Sequence, residues 1–378
     1  MNKKVFALVL AFTVLCMSVF VFDVNAQKGK PRAPRTTLKT KAVDPMLGAL
    51  PQSDIVVSID VKRLLNEFIP KLLSESPDKL ALFNAQMDKI KSESGFDLRQ
   101  IERIVAGLRL IRTSPTKLNV EAVALAKSSY NANAIISGGK MVSNGKFKEE
   151  KYAGKTIVLF DLSAIQKDAA EAIKGDTQQP ADPNQPNAQP QNKSFVDKLI
   201  DTILGQDLKE VAVTAIDEKT IAIGKLSSVK AMLDVKTGAK STNAAINNLA
   251  LKNPNAVVSF GGNVPEKVSA LIDDNTGNEF LNQLDAIKQL YGSIGMSAAN
   301  YEVAVSARTI NATKAKELFD VLQFLKQFGG GFLQGRNDEL SKIGAGVLEG
   351  LKTKNEGKDV HLKIEMKQSD INGLLKLF

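Results

Sequence analysis

Two stretches decide how this chain is read: DIVVSIDVKRLL, from Asp54 to Leu65, and NAVVSFGGNVPEKV, from Asn255 to Val268. In the first, Ile55, Val57 and Ile59 alternate as on a strand, and the apolar Val56 between them predicts burial of both faces. Leu64, Leu65, Phe68, Ile69, Leu72 and Leu73 then recur at helical spacing, with Pro70 expected to kink that helix. Ser76-Pro77 supplies a cap and a first-turn proline for the next one. The second stretch repeats the theme of a strand followed by helical spacing. Val57-Ser58-Ile59 matches Val258-Ser259-Phe260 at an offset of 201 residues, and Glu121 to Lys127 matches Glu302 to Arg308 at an offset of 181.

Outward from these stretches the chain reads as α+β. GFDLRQIERIVAGLRLIR turns from helix into strand near Val105 to Ile111, and NVEAVALAK, AIISGG and KTIVLFDL read as further strands, with Asn144-Gly145 as a tight turn. VAVTAI and TIAIG, joined by Asp217-Glu218-Lys219, form the clearest hairpin. YGSIGMSA, YEVAVSART and KDVHLKIEMK are strands of the later half, with helices expected around Val268 and around Phe280, Leu284 and Ile287. Hairpin signals outnumber regular strand-helix-strand alternation, so the sheets should be mainly antiparallel and packed with helices. The expected organisation is two tandem related modules, 44–240 and 251–378.

The segment Asp176 to Lys193, DTQQPADPNQPNAQPQNK, holds four prolines and five glutamines and too little apolar surface to pack. Because a hairpin and a helix still follow it, it reads as a disordered insertion in the first module; a linker between domains is the alternative.

The N-terminus places Lys3 and Lys4 before an apolar run from Val5 to Phe22 and ends it with Val24-Asn25-Ala26, the pattern of a signal peptide over 1–26 with a mature start at Gln27. Cleavage would remove Cys16, the single cysteine. The run is 18 residues long and is followed by Lys28, Lys30, Arg32, Arg35, Lys39 and Lys41, so an uncleaved membrane anchor is the competing reading. Of the formal charge of +9, residues 1–26 carry +1, residues 27–43 carry +6, and all the rest only +2. The excess is thus a basic, Pro-containing tether over 27–43, fit for a salt-sensitive contact with an anionic surface. The body lacks the charge of a specific nucleic-acid binder.

Candidate chemical motifs fail on their surroundings. YAGKT lacks the upstream glycine of a phosphate loop, since position 149 is glutamate, and reads as a hairpin turn. The glycines of IGAGVLEG lie on a helical stripe with Leu340, Ile343, Val347, Leu348 and Leu351, not after a buried strand. DDNTGNE has Asn278 where a calcium loop needs glycine. His361, the single histidine, shares the polar side of its strand with Asp359, Lys363 and Glu365, so a metal site built from several histidines is unavailable. No cofactor or metal is implied.

The order of export signal, basic tether and strand-helix modules resembles that of uncharacterised exported bacterial proteins with tandem α+β modules; no characterised family is matched. The resemblance implies export and transfers no site residues. One apolar segment, FDVLQFLKQFGGGFLQG, is unexplained: it reads as a helix ending in a flexible triglycine joint, or as a flap in which Phe324, Phe328 and Phe332 rim an apolar ligand site. The expected function is an exported, non-catalytic binding or structural protein of the cell envelope, with an envelope protein or an apolar molecule as partner. An extracytoplasmic hydrolase using Asp and Glu is the rival.

Overall fold

The computed structural model describes residues 44–114, 117–161, 210–266, 284–297, 300–334, 350–368 and 371–372. The apolar N-terminal run, the six basic tether residues and the Pro/Gln segment lie outside these.

Asp44 opens the described chain as a helix cap, its carboxylate accepting from Met46 N at 3.0 Å and Leu47 N at 3.2 Å ahead of the short α1 (Pro45–Gly48). Strand β1 (Ile55–Ile59) follows, buried on both faces as Val56 predicted. The helix after it, α2, is assembled from Val61–Arg63, a π-helical turn Leu64–Phe68 and Ile69–Leu72. Pro70 has no N–H, and its ring would collide with the carbonyl four residues earlier in a regular helix. The wider turn before it, where Ile69 N bonds Leu64 O, absorbs that misfit without breaking the helix. Helix α3 (Pro77–Ser94) begins at the expected proline, although the Ser76 hydroxyl makes no cap bond, and it ends on Gly95 at φ 74°.

Strands β2 (Ile101–Ser114) and β3 (Lys117–Ser128) form a long antiparallel pair. The next segment corrects the sequence reading. AIISGG is no strand but part of α4 (Ala132–Val142), capped by Asn131, whose side chain accepts from Asn133 N at 2.9 Å and Ala134 N at 3.3 Å. Gly138 and Gly139 let it lie tight: a Cβ would stand 2.6 Å from the Phe96 ring at the first and 3.1 Å from the Phe160 ring at the second. YAGKT is the hairpin turn between β4 (Phe147–Tyr152) and β5 (Lys155–Asp161), with Ala153 at φ 47° and Gly154 at φ 75°.

The clear hairpin is β6 (Glu210–Ala215) with β7 (Thr220–Gly224), and α5 (Leu226–Lys236) and α6 (Ala244–Ala250) follow. The second half comprises β8 (Ala256–Asn263), β9 (Ile287–Met296), β10 (Asn300–Thr309), α7 (Ala312–Gln334), β11 (Leu351–Glu356) and β12 (Asp359–Lys367). Two boundaries move. Ile287 opens a strand, and Leu351, placed on a helical stripe by its spacing, opens β11; both lie where pairing with a neighbour overrides local periodicity.

The twelve strands of the described residues join one sheet, in the order β11-β12-β10-β9-β8-β1-β2-β3-β7-β6-β5-β4, with every neighbouring pair antiparallel. The fold is α+β with one continuous sheet rather than a sheet per half. At its centre β1 pairs with β8, and the stretches matched by sequence face each other: Val57 opposite Phe260, Ser58 opposite Ser259, Ile59 opposite Val258. Outward from that seam the arms run in the same order, β1-β2-β3-β7-β6 on one side and β8-β9-β10-β12-β11 on the other, with the β5-β4 hairpin extending the first.

The face bearing Val56 and Ser58, here the near face, is apolar over the first arm. Val105, Val123, Leu125, Ala212 and Ala222 are buried there beneath Val229, Met232 and Leu233 of α5 and Ile246 and Ala250 of α6. On the far face, α4 covers the first arm through Ala132 and Ile136. Over the second arm the far face is covered by Phe68, Ile69 and Leu72 of α2 and by Ala315 and Leu318 of α7.

Candidate ligand groove

The near face of the second arm is built differently. Antiparallel register puts Tyr291 and Ser293 of β9, Ala304 and Ser306 of β10, His361 and Lys363 of β12, and Lys352 and Lys354 of β11 side by side on it. Such side chains suit an apolar helix poorly, and it is the end of α6, through Leu249, that borders them on the β9 side. The turn from α6 into β8 forms a wall along this floor: Asn253 Nδ2 donates to Ser293 Oγ at 3.0 Å, and Asn253 Oδ1 accepts from Asn255 N at 3.0 Å, folding the turn about Pro254. Wall and floor enclose an open groove of ≈ 540 Å³ lined by Leu249, Lys252, Asn253, Pro254, Asn255, Tyr291, Gly292, Ser293, Gly295, Met296, Ser297, Glu302, Ala304, Ser306 and His361.

A chain of contacts runs along one end. Lys252 Nζ stands 4.1 Å from the Tyr291 ring centroid and donates to its hydroxyl at 2.6 Å; that hydroxyl donates to Asp359 at 3.3 Å. Arg308 grips the same carboxylate with two bonds, 2.7 and 2.9 Å. His361 Nδ1 lies 2.8 Å from Ser306 Oγ, and its Nε2 lies 3.5 Å from Glu356. Farther along, Lys363 bridges Glu302 at 2.8 Å and Glu365 at 2.9 Å, and Lys352 meets Glu365 at 2.8 Å.

These contacts set the electrostatics. The Arg308 bonds hold Asp359 below the usual carboxylate range, against the opposing effect of burial. Lys352 and then Lys363 bring Glu365 down to about 2, and Lys354 lowers Glu356. Each of these carboxylates is stabilised as an anion, the reverse of what a general acid at neutral pH requires.

Of the residues singled out from sequence, His361 does face the polar side, and the structure brings it into the groove. Phe324 is 57% exposed on α7, which packs against the opposite face of the sheet. Helix α7 runs through Gly329–Gly331, where the sequence reading had ended it in a flexible joint. The side chains of Phe328 and Phe332, and Lys28, Lys30, Arg32, Arg35, Lys39 and Lys41, lie outside the described residues. Sequence reasoning missed Lys252, Asn253, Tyr291, Ser293, Glu302 and Ser306. A signal was present: three successive strands carry polar residues on one alternation, which marks a sheet face left without a helix.

Comparison with known proteins assigns no family: no family model and no curated protein matches the chain. Among solved structures it is similar to TP0453 in crystal forms I, III and IV. Identity is 8, 10 and 10%, and the overlap covers 89% of this chain and 99, 100 and 96% of that one. The TM-scores, 0.39, 0.38 and 0.40, are too low to carry a functional argument. Among the described residues no helix is long and apolar enough to cross a membrane, which says nothing of strands.

Proposed function

We propose that this is an exported, non-catalytic binding protein that takes up a small polar ligand in the near-face groove of its second arm. The observation that supports the reading is the groove itself: side chains from four elements converge on ≈ 540 Å³, within the size range of small-molecule sites.

The test is to fill the groove. Ala304 sits half-buried on its floor, away from either apolar core, so Ala304→Trp should leave thermal stability within about 1 kcal/mol. Native mass spectrometry of the full chain, purified from the cells that make it, should show a bound small molecule that the variant lacks. A ligand retained equally by both forms would sink the assignment of the site. The same spectrum tests export, since a mass beginning at Gln27 is expected and a mass retaining residues 1–26 would point to the anchor instead.

A hydrolase built on serine, unlike the Asp and Glu enzyme expected from the sequence, has one observation in its favour, the contacts of His361 with Ser306 and Glu356. Ser306, however, lies in mid-strand between β9 and β12 and is 8% exposed. The amides around it are engaged in the sheet, so no backbone donor stands ready for an oxyanion. Labelling of Ser306 by a fluorophosphonate would revive that reading.

A further inference from the structure

We infer that the groove's ligand carries an anionic group and that Lys252 is the residue that receives it; this rests on the binding role proposed above. The argument is one of charge matching. A charged ligand entering a partly desolvated groove must find an opposite charge that is not already engaged. Every carboxylate in or bordering the groove is engaged: Glu302 by Lys363, Glu365 by Lys352 and Lys363, Asp359 by Arg308, and Glu356 by Lys354. A cationic ligand would have to displace a lysine or an arginine to be met.

Lys252 is the lysine that lines the groove itself, whereas Lys352, Lys354, Lys363 and Arg308 border it. Its ammonium bonds the Tyr291 hydroxyl at 2.6 Å, and among the described residues no carboxylate lies within ion-pair distance of it, although Asp359 and Glu356 are near enough to feel its charge. Nor is it a loose surface lysine. It is carried on the turn that Asn253 ties to Ser293, its N–H bonds Leu249 O at 3.3 Å, and its ammonium is held beside the Tyr291 ring. Placement is therefore fixed, and although Lys252 helps to lower Asp359 and Glu356, each of these is already ion-paired, with Arg308 and with Lys354, so three cations face two carboxylates and one positive charge is left in excess. Beside it the groove offers the Asn255 amide and hydroxyls of Ser293, Ser297 and Ser306 for a hydrogen-bonding body, and Leu249, Pro254 and Met296 for an apolar one. The ligand class that fits is a small organic anion, with a carboxylate or a phosphate ester as its charged end.

Titrations of the full chain with hippurate, its neutral analogue hippuramide, and phenyl phosphate, followed through backbone amide resonances, test this. The anions should shift the amides of Asn253, Ser293 and Ala304 and bind at least about tenfold more tightly than hippuramide, with an affinity that falls as salt is added. Whichever anion binds better identifies the carboxylate or the phosphate source. Lys252→Met, which keeps an unbranched side chain and removes the charge, should remove that preference, and Lys252→Arg should restore it. Equal binding of hippurate and hippuramide, or an unchanged preference in Lys252→Met, overturns the charge assignment. The groove reading survives that result if Ala304→Trp still abolishes binding. If no probe moves the groove amides, both readings fall.

Discussion

The two arms share a strand order and use the same face of the sheet in opposite ways. Leu125 on β3 and Ala304 on β10 hold matching places: from the seam, Ser58 is opposite Val105 and Val105 opposite Leu125, while Ser259 is opposite Ser293 and Ser293 opposite Ala304. The sequence offset of 181 would instead have matched Leu125 to Ser306. The difference of two residues keeps the same face, because a strand's side chains repeat every second position. At Leu125 the face is sealed by α5 and α6; at Ala304 it is open and polar. One arm thus buries this face, and the other leaves it open. We propose that the arms arose as related modules.

The comparison can be broken most directly at that matched pair. Leu125→Ala should cost about 2–5 kcal/mol, because a fully buried side chain leaves a cavity under α5. Ala304→Ser, at the matching place, should stay within about 0.5 kcal/mol. Urea unfolding of both variants decides it, and similar losses would mean that the faces are not used differently.

A somewhat smaller effect is expected at the seam. A Cβ on Gly261 would stand 2.6 Å from Ala250 N and 2.7 Å from Leu249 Cβ, so Gly261→Ala must push α6 off the sheet, at a cost of about 1–3 kcal/mol. Since the groove wall follows α6, the amides of Asn253 and Asn255 should shift as well. A variant as stable as the parent would show that α6 is not seated as described.

Acid should separate the arms next. Asp359 and Glu365 have folded values below their ordinary 3.8 and 4.5, so their contribution is complete above those values and is lost as pH falls through the folded ones, toward about 2 for Glu365. Glu102 and Asp217 of the first arm are lowered too, but not as far as Glu365, so the second arm should loosen first as pH drops below about 4, read as faster amide exchange in β10 and β12 than in β3 and β7. Asp359→Asn should cost about 1 kcal/mol at pH 7, given that Arg308 is partly exposed, and should shrink the loss of melting temperature between neutral and acid pH. Faster exchange in the first arm would contradict the assignment.

The smallest effect concerns the Pro/Gln stretch of the first half. Its composition offers nothing to a core, so deletion of residues 178–191 should leave the melting temperature of the full chain unchanged within about 1 °C. A collapse of the fold on deletion would show that the stretch packs.

What the sequence by itself determined was local. Alternation placed β1, β3 and β8; the Asp217-Glu218-Lys219 connection set the β6–β7 hairpin, and Ala153-Gly154 set the turn of β4–β5 through positive φ. These signals were legible because the residues that settle each element lie within a few positions of it. The tertiary structure alone decided the rest. AIISGG became helix because Phe96 and Phe160, distant in the chain, pack against Gly138 and Gly139. Ser58 met Ser259 across 201 residues, turning two stretches of like pattern into the centre of one sheet. Lys252 gained its place only when the turn after α6 was tied down to β9. A groove of this kind has no local signature, since it is made of side chains from separate strands whose register is set by the burial of the opposite face.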